Sequence, residues 1–217
     1  DSFWRARNLR SHLKNIKPAV LNVGGWFDAE DLFGALHVYK SIESSSPYAY
    51  NVLVMGPWYH GAWTTGEGDS LGSVQFNSKT GEYFREKVEL PFFLHFLKGA
   101  PDPGLAEATV FETGSNQWRR FDSWPPHGTE TKSLYLHPNG KLSFAPPADS
   151  DSNTFDEYIS DPQKPVPYIA GIAIGMTKEL WVDDQRLAAR RSDVLTYTSD
   201  VVAHDLILAG PVAPIIH

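Results

Sequence analysis

Two short, almost continuous apolar runs stand near the start of the chain, and each one ends at glycine. The first covers residues 18–23 before Gly24 and Gly25, and the second covers residues 52–55 before Gly56. Such runs are typical of strands buried on both faces of a parallel sheet. Between them, residues 30–43 have apolar positions at helical spacing and predict an amphipathic helix. Strand, helix and strand with short links predict a βαβ unit of an α/β domain.

The pattern changes after a further predicted helix over about 78–98. A turn-rich segment, 99–104, is followed by short β-type runs that Pro and Gly clusters separate. These runs cover 108–113, 133–137, 154–159, 194–198 and 206–209. Many short strands with turn signals favour a β-sandwich or jelly roll. We therefore predict an α/β domain over 1–102, within which 1–16 are loosely helical, and an all-β domain over 106–217.

Composition excludes several function classes. The net charge is −7 and no Lys/Arg cluster occurs, so binding to nucleic acid or to an anionic membrane has no electrostatic basis. No apolar run approaches the roughly 20 residues of a membrane helix. Cysteine is absent, and the histidines form no close ligand spacing, so we expect no metal and no cofactor. The compartment is left open.

The two ends of the chain indicate a piece of something longer. The chain starts at Asp1 without an initiator Met, and it stops just after an apolar stretch that is typical of a strand. A cut sheet leaves unpaired strand edges, so we expect such a fragment to associate, as a homo-oligomer or with the N-terminal part that it lacks.

Asp28 and His60 are the candidate catalytic residues. Each follows one of the two buried strands, and the carboxyl ends of parallel strands are where sites form in open sheets. A carboxylate that orients an imidazole is the acid–base part of a nucleophilic triad, and Asp before His is the chain order of α/β-hydrolases. Two structural alternatives stand beside this hypothesis. Asp28 could cap the next helix, for which Asp31 is better placed, and His60 could be a packed, hydrogen-bonded residue.

The chain contains one Gly-x-Ser-x-Gly sequence, at 68–72, with Ser70 at its centre. We reject Ser70 as the nucleophile, because a nucleophile elbow needs a buried strand before the serine and a helix after it. The segment before Gly68 is polar and rich in glycine instead. The nucleophile is therefore expected upstream of residue 1.

Several ordered motifs resemble one known family. Gly-Gly-Trp-Phe-Asp at 24–28, Gly-Pro-Trp-x-His at 56–60, the segment 111–126 and the segment 184–195 are similar to the CocE/NonD-type serine hydrolases. This bacterial family contains α-amino-acid ester hydrolases, cocaine esterase, glutaryl-cephalosporanate acylases and X-Pro dipeptidyl-peptidases. The resemblance covers nearly the whole chain. It implies the C-terminal part of an α/β-hydrolase domain, with residues 1–16 as the end of its cap or the return from it. An incomplete jelly roll is expected to follow, and members are often periplasmic or secreted.

The resemblance also implies a mechanism. A serine attacks an ester or amide of a small molecule, His60 transfers the proton, and Asp28 stabilises the imidazolium. We expect the acyl pocket to be lined by the neighbouring aromatic residues Trp26, Trp58, Tyr59 and Trp63. The family's amino-ester members also bind the substrate ammonium with acidic residues, and we do not assign that cluster from the sequence. Two alternatives remain, an X-Pro dipeptidyl-peptidase and a non-catalytic β-sandwich binding module on a degenerate hydrolase.

Overall fold

The computed structural model describes residues 2–148 and 155–216. The chain divides into two compact units, Asp1–His127 and Gly128–His217. In the first unit, Leu9–His12 and Ala62–Thr64 form 3-10 turns and Arg85–Glu89 forms a π turn. Its helices and strands are α1 (Ser2–Arg5), β1 (Val20–Gly25), α2 (Leu32–Ser45), β2 (Asn51–Gly56), β3 (Ser70–Leu71), β4 (Val74–Gln75), α3 (Thr80–Phe84), α4 (Leu90–Lys98), β5 (Ala108–Glu112) and β6 (Gln117–Phe121).

A four-stranded sheet forms the centre of the first unit, in the order β1-β2-β5-β6. β1 pairs parallel with β2 from Val20 opposite Asn51 to Gly25 opposite Gly56, so the two strands end level with each other. β5 pairs parallel with β2, and β6 returns antiparallel along β5. All six residues of β2 are buried, because β2 lies between two strands and is covered on both faces. The sequence pattern predicted this βαβ unit.

Helix α2 connects β1 with β2 and packs on the sheet through its buried residues Tyr39 and Ile42. Beneath it, the buried amide of Asn51 accepts a hydrogen bond from Asn22 at 2.7 Å and donates to Glu43 at 2.7 Å. Buried polar groups need such partners, because an unpaired one costs about 1–3 kcal/mol. The first residue of β2 thus carries a buried amide group that is hydrogen-bonded to neighbouring side chains of the first unit.

The helix predicted over 78–98 extends from Thr80 to Lys98 as α3, the π turn and α4 in direct succession. Pro91 stands at the start of α4 and has no N–H to donate to the carbonyl group one turn earlier. The wider π turn immediately before it accommodates this interruption, with Leu90 N bonded to Arg85 O. Gly99 ends the helix in the left-handed conformation, with φ +70°.

The hairpin of β5 and β6 belongs to the sheet of the first unit. β5 extends the parallel sheet beside β2, so residues 108–112, expected to open the all-β domain, lie next to β2. The apolar residues Ala108, Val110 and Phe111 are buried there. The first compact unit continues through His127, and the domain limits 1–102 and 106–217 stay a prediction.

The second unit is poorer in strands than the sequence predicted. Among its described residues, β7 (Tyr135–His137) pairs antiparallel with β8 (Lys141–Ser143), and β9 (Thr198–Ser199) pairs parallel with β8; α5 covers Glu179–Val182. The run 206–209 is not a strand, nor is 155–159, and Thr154 lies outside the described residues. The apolar side chains Ile159 and Leu208 are exposed rather than packed in a sheet core. The chain is therefore α/β followed by a β-containing part, and the jelly roll stays a prediction.

Candidate active site

The loops after β1 and β2 are joined by backbone hydrogen bonds beyond the end of the sheet. Trp26 N donates to Gly56 O at 2.9 Å, and Phe27 N donates to Trp58 O at 3.1 Å. Gly25 makes this approach possible, because a Cβ there would lie 2.1 Å from the Trp58 carbonyl oxygen. The parallel register and these bonds place residues 28 and 60 on neighbouring loops.

The carboxylate of Asp28 uses its two oxygens for two different tasks. Oδ1 accepts hydrogen bonds from the backbone N–H groups of Glu30 at 2.8 Å and Asp31 at 3.0 Å. Oδ2 accepts from Nδ1 of His60 at 2.9 Å. The side chain of Asp28 is only 2% exposed. Burial alone would raise the pKa of Asp28, but the hydrogen bonds from Asp31, Glu30 and His60 together lower it, so the carboxylate stays ionised.

The imidazole of His60 is held at one nitrogen and open at the other. Nδ1 faces an ionised carboxylate that can only accept, so Nδ1 carries the proton and Nε2 of the neutral ring is an acceptor. The His60 side chain is 49% exposed, and its hydrogen bond to Asp28 uses Nδ1, which leaves Nε2 on the other side of the ring. The hydrogen bond to Asp28 raises the pKa of His60, and the negative charges of Glu30 and Asp31 act in the same direction. This arrangement can accept a proton from an approaching nucleophile and return it.

The two interpretations of Asp28 are compatible in the structure. Its Oδ1 fixes the loop that leads into α2, as a helix-capping residue would, while Oδ2 binds His60. Asp31, the better capping candidate by position, stands at the N-cap of α2 without a side-chain capping bond. The carboxylate of Asp31 therefore remains available beside the loop.

Trp58, which we expect to line the acyl pocket, is buried in the first unit. It is 2% exposed and packs in a cluster with Val54, Phe84 and Val88, where Nε1 donates to Thr80 Oγ1 at 2.9 Å. A Cβ at Gly56 would lie 2.4 Å from the Trp58 ring, so the glycine makes room for it. A role of Trp58 in the acyl pocket stays a prediction.

The other three aromatic residues are partly exposed. Trp26 donates from Nε1 to Phe111 O at 2.8 Å and packs against Trp124. Trp63 packs with its ring 5.8 Å from that of Trp58. Tyr59 directly precedes His60 and is half-buried. A role of these residues in substrate binding stays a prediction.

Ser70 does not stand on a nucleophile elbow. It belongs to the two-residue strand β3, which pairs with β4 in a small antiparallel hairpin, and no helix follows it directly. Its hydroxyl donates to the neighbouring Asp69 at 3.3 Å. Ser70 therefore has neither the turn nor the histidine contact of an activated serine.

Sequence reasoning did not assign Glu30 and Asp31 to the site. Both are exposed, follow the candidate acid by two and three residues, and influence His60 electrostatically. The Asp-x-Glu-Asp order at the end of a buried strand was the available signal, but it was interpreted only as helix capping. The structure brings three carboxylates to the loop beside His60.

Two further features concern ligands and membranes. Within the described ranges, no group of three His, Cys, Asp or Glu residues could hold a metal ion, and no helix is long and apolar enough to span a bilayer.

A cavity of about 290 Å³ has none of its lining residues on the loops of Asp28 or His60. It is lined by Tyr83, Lys87, Val88, Pro103, Leu105, Thr109 and Arg120. The candidate catalytic residues thus lie outside this cavity, on the loops at the carboxyl ends of β1 and β2.

Comparison with known proteins places this chain in a family. Residues 1–62 match the X-Pro dipeptidyl-peptidase (S15 family) model, and residues 104–217 match the X-Pro dipeptidyl-peptidase C-terminal non-catalytic domain. Cocaine esterase from Rhodococcus sp. (strain MB1 Bresler) is 24% identical over 98% of this chain and 38% of its own length.

Two solved structures are similar over almost the whole chain. An aminopeptidase from a marine sediment Thaumarchaeota archaeon has a TM-score of 0.83 and 40% identity over 92% of this chain and 33% of its own. An α-amino acid ester hydrolase has a TM-score of 0.88 and 34% identity over 97% of this chain and 36% of its own. The chain thus spans between 33% and 38% of these relatives. It belongs to the CocE/NonD-type family, whose members are serine hydrolases.

Proposed function

We propose that this chain contributes the acid and the histidine of a Ser-His-Asp triad to a serine hydrolase that cleaves small esters or amides. The observation that carries the proposal is the hydrogen bond of 2.9 Å from Nδ1 of the half-exposed His60 side chain to a buried carboxylate. The serine belongs to a segment of the whole protein outside residues 1–217. The same proposal gives the second unit the jelly-roll fold of the family's C-terminal domain.

In the proposed reaction, the serine hydroxyl approaches His60 Nε2 and transfers its proton as the oxygen attacks the acyl carbon. His60 then gives this proton to the leaving alcohol or amine. Asp28 remains ionised throughout and stabilises the imidazolium, which the lowered pKa of its carboxyl group supports. Water enters next and loses a proton to His60 as its oxygen attacks the acyl carbon. His60 then gives this proton to the serine oxygen as the acid leaves.

The test uses a fluorophosphonate probe on the protein at its natural length, followed by peptide mapping of the labelled serine. We expect the label on a serine outside residues 1–217, and we expect it to disappear in His60→Ala. Label on Ser70 would contradict the rejection of the internal motif. Absence of label from the wild type would instead favour a non-catalytic binding module.

Residues 1–217 alone are expected to hydrolyse no ester. The purified chain should therefore not hydrolyse a chromogenic ester, although it carries Asp28 and His60. Turnover that survives Ser70→Ala and is lost in His60→Ala would contradict this expectation. The isolated chain is further expected to self-associate, and monodisperse monomers in sedimentation would argue against association.

A second candidate concerns substrates with a free amino group, including those of an X-Pro dipeptidyl-peptidase. Glu30 and Asp31 offer two exposed carboxylates beside His60, and two matching structures are described as an aminopeptidase and an α-amino acid ester hydrolase. An ammonium group would pair with these carboxylates. We expect Asp31→Asn to lower the selectivity for an amino-acyl ester over its desamino analogue about fivefold, since an exposed ion pair contributes up to about 1 kcal/mol. An unchanged selectivity would contradict the idea that Asp31 binds the amino group of the substrate.

A further inference from the structure

The segment that carries His60 is tied to one helix on both sides of the histidine. We name residues 58–68 the strap. Before His60, Trp58 Nε1 donates to Thr80 Oγ1 at 2.9 Å. The same hydroxyl donates to Gly68 O, at the far end of the strap, at 2.6 Å. Thr80 is fully buried, so a single hydroxyl at the start of α3 joins the two ends of the strap.

Arg85, the first residue of the π turn that directly follows α3, binds the middle of the strap. Its Nη1 donates to Trp63 O at 3.0 Å, and its Nη2 donates to Gly66 O at 2.7 Å. Between these two ties, Gly81 N donates to Glu67 O at 2.9 Å. A Cβ at Gly81 would lie 3.1 Å from Arg85 Nη1, so the glycine leaves space for the guanidinium group.

The strap needs these hydrogen bonds because two of its glycines allow its backbone many conformations. Gly61 and Gly66 both have left-handed φ values, +72° and +73°, with nothing packed where a side chain would be. Glycine at such positions loses much conformational freedom when it is ordered. The planar, five-donor guanidinium group binds two carbonyl oxygens in fixed directions, which a flexible ammonium group does not reproduce. Among the described residues, no carboxylate forms an ion pair with Arg85, and its hydrogen bonds to Trp63 O and Gly66 O are both directed to the strap.

We propose that Arg85 and Thr80 are positioning residues that hold the strap so that His60 stays on Asp28 Oδ2 and presents Nε2 to the nucleophile. This role rests on the proposed function, since it concerns the same histidine. The side chain of His60 is half-exposed, so its direction depends strongly on the backbone of the strap and on Asp28. A displacement of about 1 Å at such a group can lower the rate about 100-fold.

The test compares Arg85→Met and Arg85→Lys, and separately Thr80→Val and Thr80→Ser, in the protein at its natural length. Diethyl pyrocarbonate acylates neutral imidazole, so its rate as a function of pH, mapped to the His60 peptide, measures the pKa of this histidine independently of any turnover. The groups that face His60 are Asp28, Glu30 and Asp31, and all of them are retained in the four variants. The exposed His12 reports the general reactivity of the chain.

We expect Arg85→Met and Thr80→Val to lower the pKa of His60 toward the ordinary histidine value, because a loosened strap weakens the bond to Asp28. They should lower kcat about tenfold to 100-fold with KM changed less than about twofold. Thr80→Ser should keep the wild-type kcat and His60 pKa, because serine retains the hydroxyl group. Arg85→Lys should keep them in part. Thermal unfolding identifies variants that fail to fold, in which case the other pair decides.

An unchanged His60 pKa in folded Arg85→Met and Thr80→Val would overturn the proposal. So would a loss of kcat that the conservative variants share equally with the others. A wild-type protein that hydrolyses no ester would remove the proposed function alone, because the His60 pKa would still decide whether the strap positions the ring.

Discussion

Replacement of Asp28 by Asn examines the central bond of the site with almost no change in shape. The Asp28 carboxylate accepts three N–H groups, two through Oδ1 and one through Oδ2. If the amide oxygen of Asn keeps the two backbone bonds, its NH₂ group faces His60 Nδ1, where two donors would meet. His60 must then move its proton to Nε2, and that nitrogen can no longer accept the serine proton. The same change in a serine protease lowers kcat by about 10⁴, which corresponds to about 5.4 kcal/mol.

The assay measures kcat and KM for a chromogenic ester with the protein at its natural length. We expect kcat to fall about 10⁴-fold and KM to change little, because the lost interaction acts on proton transfer rather than on substrate binding. Asp69→Asn is the matched control, since it makes the same substitution at an exposed carboxylate bonded to Ser70. A loss in kcat smaller than tenfold in folded Asp28→Asn would refute the assignment of Asp28 as the orienting acid.

Three further predictions follow from the site. Because the pKa of His60 is raised, the neutral imidazole is lost as pH falls through that raised value. The acidic limb of the kcat/KM profile should therefore lie above the ordinary histidine pKa. Glu30→Gln removes a negative charge near His60 and should shift this limb to lower pH. Gly25→Ala places a Cβ 2.1 Å from the Trp58 carbonyl oxygen and should lower the free energy of unfolding by about 1–3 kcal/mol in urea denaturation. Ser70→Ala should leave kcat unchanged, and a loss beyond threefold would show that the internal motif takes part.

The part of the fold that periodicity predicted is the part in which neighbouring elements are also neighbours in sequence. Residues 18–23 and 52–55 became β1 and β2, and the helix between them lies within two residues of its expected bounds at both ends. Their glycine-terminated apolar runs specify both the strands and the loops that follow. The meeting of Asp28 with His60 was accessible for the same reason, because it required only parallel pairing of adjacent strands.

Long-range packing set the features that the sequence did not reveal. Residues 108–112 look like any short strand, and only burial against β2 decides that they extend the first sheet. Trp58 lies in an aromatic loop beside the histidine, yet its ring is buried in the core. There it packs against Gly56, which has no side chain, and donates a hydrogen bond to the Thr80 hydroxyl. The clamp by Arg85 depends on contacts 19 and 22 residues away in sequence, which no local pattern encodes.

The level ending of β1 and β2 restricts which insertions and deletions a lineage can tolerate. One residue more or less in either strand would shift one loop by about 3.3 Å along the ladder and turn its side chains to the opposite face. Asp28 and His60 would then no longer meet. Length changes in the connection after α2, such as residues 46–50, leave this alignment intact. Gaps between functional homologues should therefore accumulate in that connection and be absent from the two strands and the residues up to the acid and the histidine.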